Sequence, residues 1–302
     1  MRFFKKGKRA NYKVLSAFDN YVPGFGGTAA ILGFFLLGVA VASVVTVMLS
    51  PLNLRGEAAQ LVAYPLMFIP AMIYARAAGM RDAFFRNGYA IDSNHFGEVP
   101  ALTIFLVLLS TVATGFLMDG ISSAVLPPVP PMLEQIFRQL TEGTLILNLL
   151  AVSVMAPIFE EWLLRGIILR GLLNHPRSGG RRGYHPALAI GVSALIFGVI
   201  HFNPWQALSA ISIGVLMGYI YYKTGSLKLT MAMHCLNNTL AVVMPRLPIE
   251  GFEDADSWLD IFSPAAYSAL AVLMAAVLAL TIWYVRRIPS GKNGNCDVIE
   301  AL

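Results

Sequence analysis

Seven stretches of this chain contain no lysine, arginine, aspartate or glutamate: Asn20–Leu54, Ala58–Ala75, Val99–Met118, Gly143–Phe159, Gly183–Tyr222, Leu229–Pro245 and Ile261–Val285. A helix needs about 20 apolar residues to cross a bilayer, where every backbone polar group must be paired inside the protein. The longest stretch has room for two such helices and breaks at Asn203-Pro204. Eight spans follow, over about 29–50, 58–76, 100–118, 143–173, 187–202, 206–222, 228–245 and 263–285. Composition agrees, since 57% of the residues are hydrophobic and 13% charged, against about 25% charged in soluble domains. The expected fold is therefore an all-α polytopic membrane helix bundle.

Basic residues orient it. Lysine and arginine gather in cytoplasmic loops, and an even number of spans leaves both termini on one side. With the termini in the cytoplasm, 17 basic residues lie inside and three, Arg55, Arg138 and Arg246, lie outside, while Arg165 and Arg170 fall within the fourth helix. The net charge of +5 thus reports N-in/C-in orientation in a bacterial inner membrane, and no nucleic-acid partner is needed to explain it. Residues 1–28 are expected to lie as a basic segment on an anionic inner leaflet, without a signal-peptide pattern. Residues 289–302 read as a disordered cytoplasmic tail. Between spans three and four, Met132, Leu133, Ile136, Phe137 and Leu140 stripe a short amphipathic helix. Glu250, Glu253, Asp254, Asp256 and Asp260 make the last outer loop acidic.

Against this apolar background a few polar side chains stand out. Glu160 and Glu161 follow the uncharged run Gly143–Phe159 directly, where an ionisable group costs at least about 2.5–3.5 kcal/mol to insert. Neighbours on a helix point about 100° apart, so one carboxylate can face a site while the other pairs with Arg165, four residues on. Phe197 and His201 share a face of the fifth helix, as do His234 and Asn238 on the seventh. At about 1.5 Å per residue from the cytoplasmic ends, Glu160 lies roughly 20 Å deep, His201 roughly 22 Å, His234 roughly 9 Å and Asn238 roughly 15 Å. The four can therefore meet around one polar cavity. A desolvated glutamate and a histidine across from it suit water activation. A second histidine and an amide supply N–H donors for a tetrahedral oxyanion. Together they describe a peptidase.

The pattern Glu160-Glu161-x-x-x-Arg165, Phe197-x-x-x-His201, His234-x-x-x-Asn238 resembles the CPBP family of intramembrane proteases, the CAAX prenyl endopeptidase and bacteriocin-processing family. The resemblance covers about 145–243, the expected catalytic core of a bundle spanning 29–288. It implies that Glu160 is the catalytic carboxylate, that His201 helps it activate water, and that His234 and Asn238 hold the oxyanion or contribute to a metal site. Glu161 and Arg165 would support the site as a structural pair, with Phe197 beside them. It also implies a membrane-associated or lipidated peptide as substrate, reaching the cavity from the membrane or the cytoplasmic side.

Glu160, His201 and His234 would equally supply two histidines and one carboxylate to a divalent metal such as Zn2+; the two mechanisms stay open. The His-Glu-x-x-His helix of zincins is absent from the sequence. Two other classes compete with the protease: a proton-coupled transporter built on the same buried acids and histidines, and a non-catalytic scaffold or bacteriocin-immunity protein. Elsewhere the plainer expectations hold. Arg170 is expected to snorkel to the interface, His95, His175 and His185 to be solvated, Gly214-x-x-x-Gly218 to serve packing within the bundle, and Pro65, Pro70 and Pro157 to bend their helices.

Overall fold

A computed structural model of the chain describes residues 14–49, 56–84, 88–133, 144–176, 183–247 and 257–289. The basic segment 1–13, the tail from 290, Ile136, Phe137 and Leu140 of the amphipathic stripe, and Glu250, Glu253, Asp254 and Asp256 of the acidic loop lie outside the described residues. Among the described residues the fold is an all-α helix bundle without strands.

Eight helices appear where eight spans were expected. They are α1 (Phe25–Leu49), α2 (Gly56–Asp82), α3 (Pro100–Val125), α4 (Leu145–Asn174), α5 (Pro186–Val199), α6 (Pro204–Thr224), α7 (Leu227–Val243) and α8 (Pro264–Val285). Five of them, α1 to α4 and α8, have the length and hydropathy to cross a membrane. The chain is an integral membrane protein. α3 runs a further two turns past its expected end, carrying Asp119 with it. α5 stops earlier than its span, at Val199, leaving His201 in the turn before α6.

Helix ends follow local chemistry. Asn203 caps α6, its side-chain oxygen accepting from the Trp205 N–H at 3.0 Å, and Pro204 fills the first helical position. Ser226 caps α7. Prolines 65 and 70 lie inside α2, which continues through both. Pro157 has the larger consequence. It offers no N–H and crowds the preceding turn, and Leu149–Met155 just before it winds as a π-helix; a second π segment runs over Trp162–Leu169. Wide turns of this kind are uncommon and favour functional sites.

Two ends of the bundle can be told apart by their bonds. At the end bearing the termini, the Ser93 and His95 amides donate to Gly225 and Thr224 at 2.9 and 2.7 Å, Tyr89 donates to Asp19 at 2.9 Å, and Lys223 donates to the Arg286 carbonyl at 3.0 Å. At the opposite end, the Trp205 indole donates to the Pro127 carbonyl at 2.7 Å, and Asp119 accepts from the Ser257 hydroxyl and the Trp258 amide at 2.7 and 2.9 Å.

Close helix contacts depend on small residues, as membrane packing requires. A Cβ on Gly38 of α1 would fall 2.0 Å from the Met67 carbonyl of α2. On Gly214 it would meet Ala194 and Phe197 of α5 at 3.2 Å, and on Gly218 it would meet Ile190 at 3.0 Å. The glycine pair of α6 is thus used inside the bundle, against α5.

Two expectations are corrected. Arg170 does not snorkel: it is fully buried, and its five N–H groups donate to the carbonyls of Gly166, Phe18, Asp19, Tyr21 and Tyr89. His175 is half-buried rather than solvated, with Nδ1 2.9 Å from the Val22 carbonyl and its ring stacked on Tyr184. Both depend on the segment before α1 folding back onto the end of α4, which no local pattern announces. His95 and His185 are exposed.

Candidate active site

The two adjacent carboxylates of α4 part company as helix geometry demands. Glu161 is fully buried and accepts at Oε1 from Arg165 Nη1 at 2.6 Å and from His234 Nδ1 at 3.1 Å. Arg165, equally buried, donates through Nη2 to the Gly214 carbonyl at 3.1 Å and lies 4.9 Å from the centre of the Phe197 ring. Glu160 turns the other way. Its Oε1 accepts from the Tyr64 hydroxyl of α2, and its Oε2 lies 3.7 Å from His234 Nε2. That Oε2 is buried and has no hydrogen-bond partner.

One connected chain therefore runs Arg165–Glu161–His234–Glu160–Tyr64 through the middle of the bundle. With Glu161 ionised against Arg165, the Nδ1 proton of His234 is fixed on the Glu161 side, and Nε2 faces Glu160. Nε2 carries a proton as well when the ring is an imidazolium.

His201 and Asn238 reach the same space from other elements. His201 Nδ1 lies 2.7 Å from the Phe197 carbonyl; a carbonyl only accepts, so Nδ1 carries the proton and Nε2 offers its lone pair. The Phe197 ring meets His201 and His234 edge-on, at 5.0 and 5.3 Å between ring centres, and so spaces the two imidazoles. Asn238 has one amide N–H already committed, donating to the Val152 carbonyl at 2.8 Å. The cause lies in the π-helix: the Ala156 N–H reaches back to Ala151, and Pro157 has no N–H to give the next carbonyl, Val152. The amide of Asn238 fills that gap and keeps its second N–H.

These residues line one cavity of about 700 Å³, with Glu160, His201, His234 and Asn238 in its wall. Tyr64, Asn237 and Gln60 line it too and were not anticipated. A tyrosine among apolar neighbours has no spacing that marks it; Tyr64 is placed by α2 packing on α4, its ring 5.7 Å from Phe68, which stacks at 5.3 Å on Phe159. The cavity thus brings together every expected site residue except the Glu161–Arg165 pair and much of Phe197, which stand behind it.

Metal ligation was tested on the donors themselves. Histidines held through Nδ1 by a carboxylate and a carbonyl have the support that metal ligands usually receive. Among the described residues no three histidine, cysteine, aspartate or glutamate side chains are grouped as ligands.

What the arrangement offers is a buried carboxylate oxygen without a partner, an imidazole lone pair across the cavity from it, and N–H donors from His234 and Asn238. No curated protein and no solved structure matches the chain. Residues 142–240, about a third of its length, match the family model described as Type II CAAX prenyl endopeptidase Rce1-like. The matched segment holds Glu160, Glu161, Arg165, Phe197, His201, His234 and Asn238, so this third of the chain is similar to the type II CAAX prenyl endopeptidases.

Proposed function

We propose that this protein hydrolyses a peptide bond inside the bundle, with Glu160 as general base, in a catalytic core of about 145–243 set in a bacterial inner membrane with both termini cytoplasmic. The observation that carries this reading is Glu160 itself, the one carboxylate among the described residues of the cavity wall, held at Oε1 by Tyr64 and with Oε2 left without a hydrogen-bond partner. A water held between Glu160 Oε2 and His201 Nε2 is deprotonated by the carboxylate as it attacks the scissile carbonyl. The oxyanion that forms is met by His234 Nε2–H and by the free N–H of Asn238. Glu160 then returns its proton to the leaving amine. Substrates are membrane-associated peptides, with or without a lipid anchor.

No step runs through a metal. Cleavage by the purified protein is expected to survive exhaustive chelation; loss of cleavage that Zn2+ restores would reassign Glu160, His201 and His234 as ligands. The decisive assay presents membrane peptides, prenylated and plain, to the protein in liposomes and reads the products by mass. Cleavage absent from wild type across the panel, with proton-coupled flux in its place, would favour a transporter.

Tyr64 is a positioning residue in this scheme. Its hydroxyl holds Glu160 at Oε1, in the wall of the cavity. A hydrogen bond to a charged group contributes about 1.5–3 kcal/mol, so Tyr64→Phe should lower kcat about tenfold to a hundredfold with KM unchanged. A rise in KM at constant kcat would place Tyr64 in substrate binding instead.

A further inference from the structure

We infer that the cavity admits its substrate from the end of the bundle opposite the chain's termini, as an uncharged stretch of peptide; this rests on the peptidase reading above. Helix direction makes the position of the cavity readable. Gln60 stands in the second turn of α2, Trp205 and Gln206 in the first turn of α6, and Val242 in the last turn of α7, and all line the cavity. Each of these turns belongs to the end where Trp205 holds Pro127. From His234 to Val242 the lining extends about 12 Å along α7 at 1.5 Å per residue.

Towards the termini the way is closed. Beyond Glu160 no residue of α4 lines the cavity. Leu163, Leu164, Ile167 and Ile168 of α4, with Met217 and Ile220 of α6, form a layer at 0% exposure. A second hollow at the terminal end, about 390 Å³ around His95 and Ile288, shares no lining residue with the first. Of the two routes expected for the substrate, from the membrane or from the cytoplasmic side, this packing speaks against the second. With 17 basic residues on the side of the termini and three on the other, the end that the described residues leave open faces away from the cytoplasm.

The lining also selects by charge. Among the described residues that line the cavity, only Glu160 and the two histidines readily carry charge; the other polar groups are those of Gln60, Gln206, Ser209, Asn237 and Asn238, with Tyr64 and Thr114. Amides and hydroxyls bond to a peptide backbone, whereas a charge on the bound segment would be desolvated without a counter-charge. A free C-terminal carboxylate beside Glu160 would be repelled, so cleavage falls within a chain rather than at its last bond.

The test uses the full chain in sealed membrane vesicles, with Cys235 replaced by Ala so that Cys296, beyond α8, reports the side of the termini. Gln206→Cys and Gln60→Cys are each probed with a membrane-impermeant maleimide. Both should react only from the face opposite Cys296, and an uncharged membrane peptide should be cut only when added to that face, with an aspartate placed in its cut segment abolishing cleavage. Labelling from the same face as Cys296, or labelling only by a lipid-soluble maleimide, overturns the inference, the second outcome meaning lateral entry. Cleavage of the aspartate peptide at the wild-type rate overturns the charge rule. Labelling needs no catalysis, so a protein that labels as expected but cuts nothing refutes the peptidase and leaves the opening standing.

Discussion

Glu160→Gln should give a protein that folds, inserts and labels like wild type but cleaves its peptide at a rate lower by about 10²–10⁴-fold, the range that a positioned general base contributes. The amide keeps the volume of the carboxylate and still accepts from Tyr64 at the oxygen facing it, so the packing of α2 on α4 is preserved. What disappears is the basic oxygen at the cavity wall. The same change one residue later should act differently. Glu161 neutralises Arg165 at 2.6 Å with both groups at 0% exposure, and removing one partner of a buried pair costs about 3–5 kcal/mol. Glu161→Gln should therefore lower the midpoint of thermal unfolding in detergent before its effect on chemistry can be read. Normal turnover by Glu160→Gln refutes the assignment, and an unfolding midpoint lowered as far in Glu160→Gln as in Glu161→Gln would make both carboxylates structural.

That division between the two glutamates was legible in the sequence. Adjacent positions on a helix cannot face the same way, and Arg165 sits four residues from Glu161, so only one carboxylate was free for a site. The eight helices were legible for a similar reason: uncharged runs and Asn203-Pro204 are local signals, and Asn203 does cap α6. Contacts between distant stretches were not. Tyr64 reaches Glu160 across 96 positions of chain, with no periodicity to announce it. The role of Asn238 at Val152 was hidden because it depends on a π turn. Pro157 announced a bend, but the register that leaves one carbonyl without a donor exists only in the folded helix.

Arg170 tests the same distinction between local and distant signals, and its loss should be among the most destabilising single changes in the protein. All five of its donors are used, on Gly166 within α4 and on Phe18, Asp19, Tyr21 and Tyr89 from two other segments. No carboxylate takes part in those five bonds; carbonyl dipoles hold the cation, with Asp19 acting on its charge without one of those bonds. Arg170→Met removes the buried charge, which is favourable in isolation, but it leaves acceptors that cost about 1–3 kcal/mol each when buried and unpaired. Arg170→Lys keeps the charge and offers three donors at a point instead of a planar fork, so it cannot reach carbonyls arranged around a guanidinium. Both variants should lose several kcal/mol and unfold on the order of 10 °C lower. Methionine is the milder of the two if charge burial dominates, lysine if the carbonyls do. Hydrogen exchange should rise first in residues 14–24 and 88–92, which the guanidinium ties to α4, while α6 and α7 stay protected. The folded fraction should still cleave with the wild-type kcat, because the bonds of Arg170 lie on the sealed side of the buried layer from Glu160. Unchanged unfolding and exchange in both variants would mean that the carbonyls are reached by water and that Arg170 is the interfacial residue its position near the helix end first suggested.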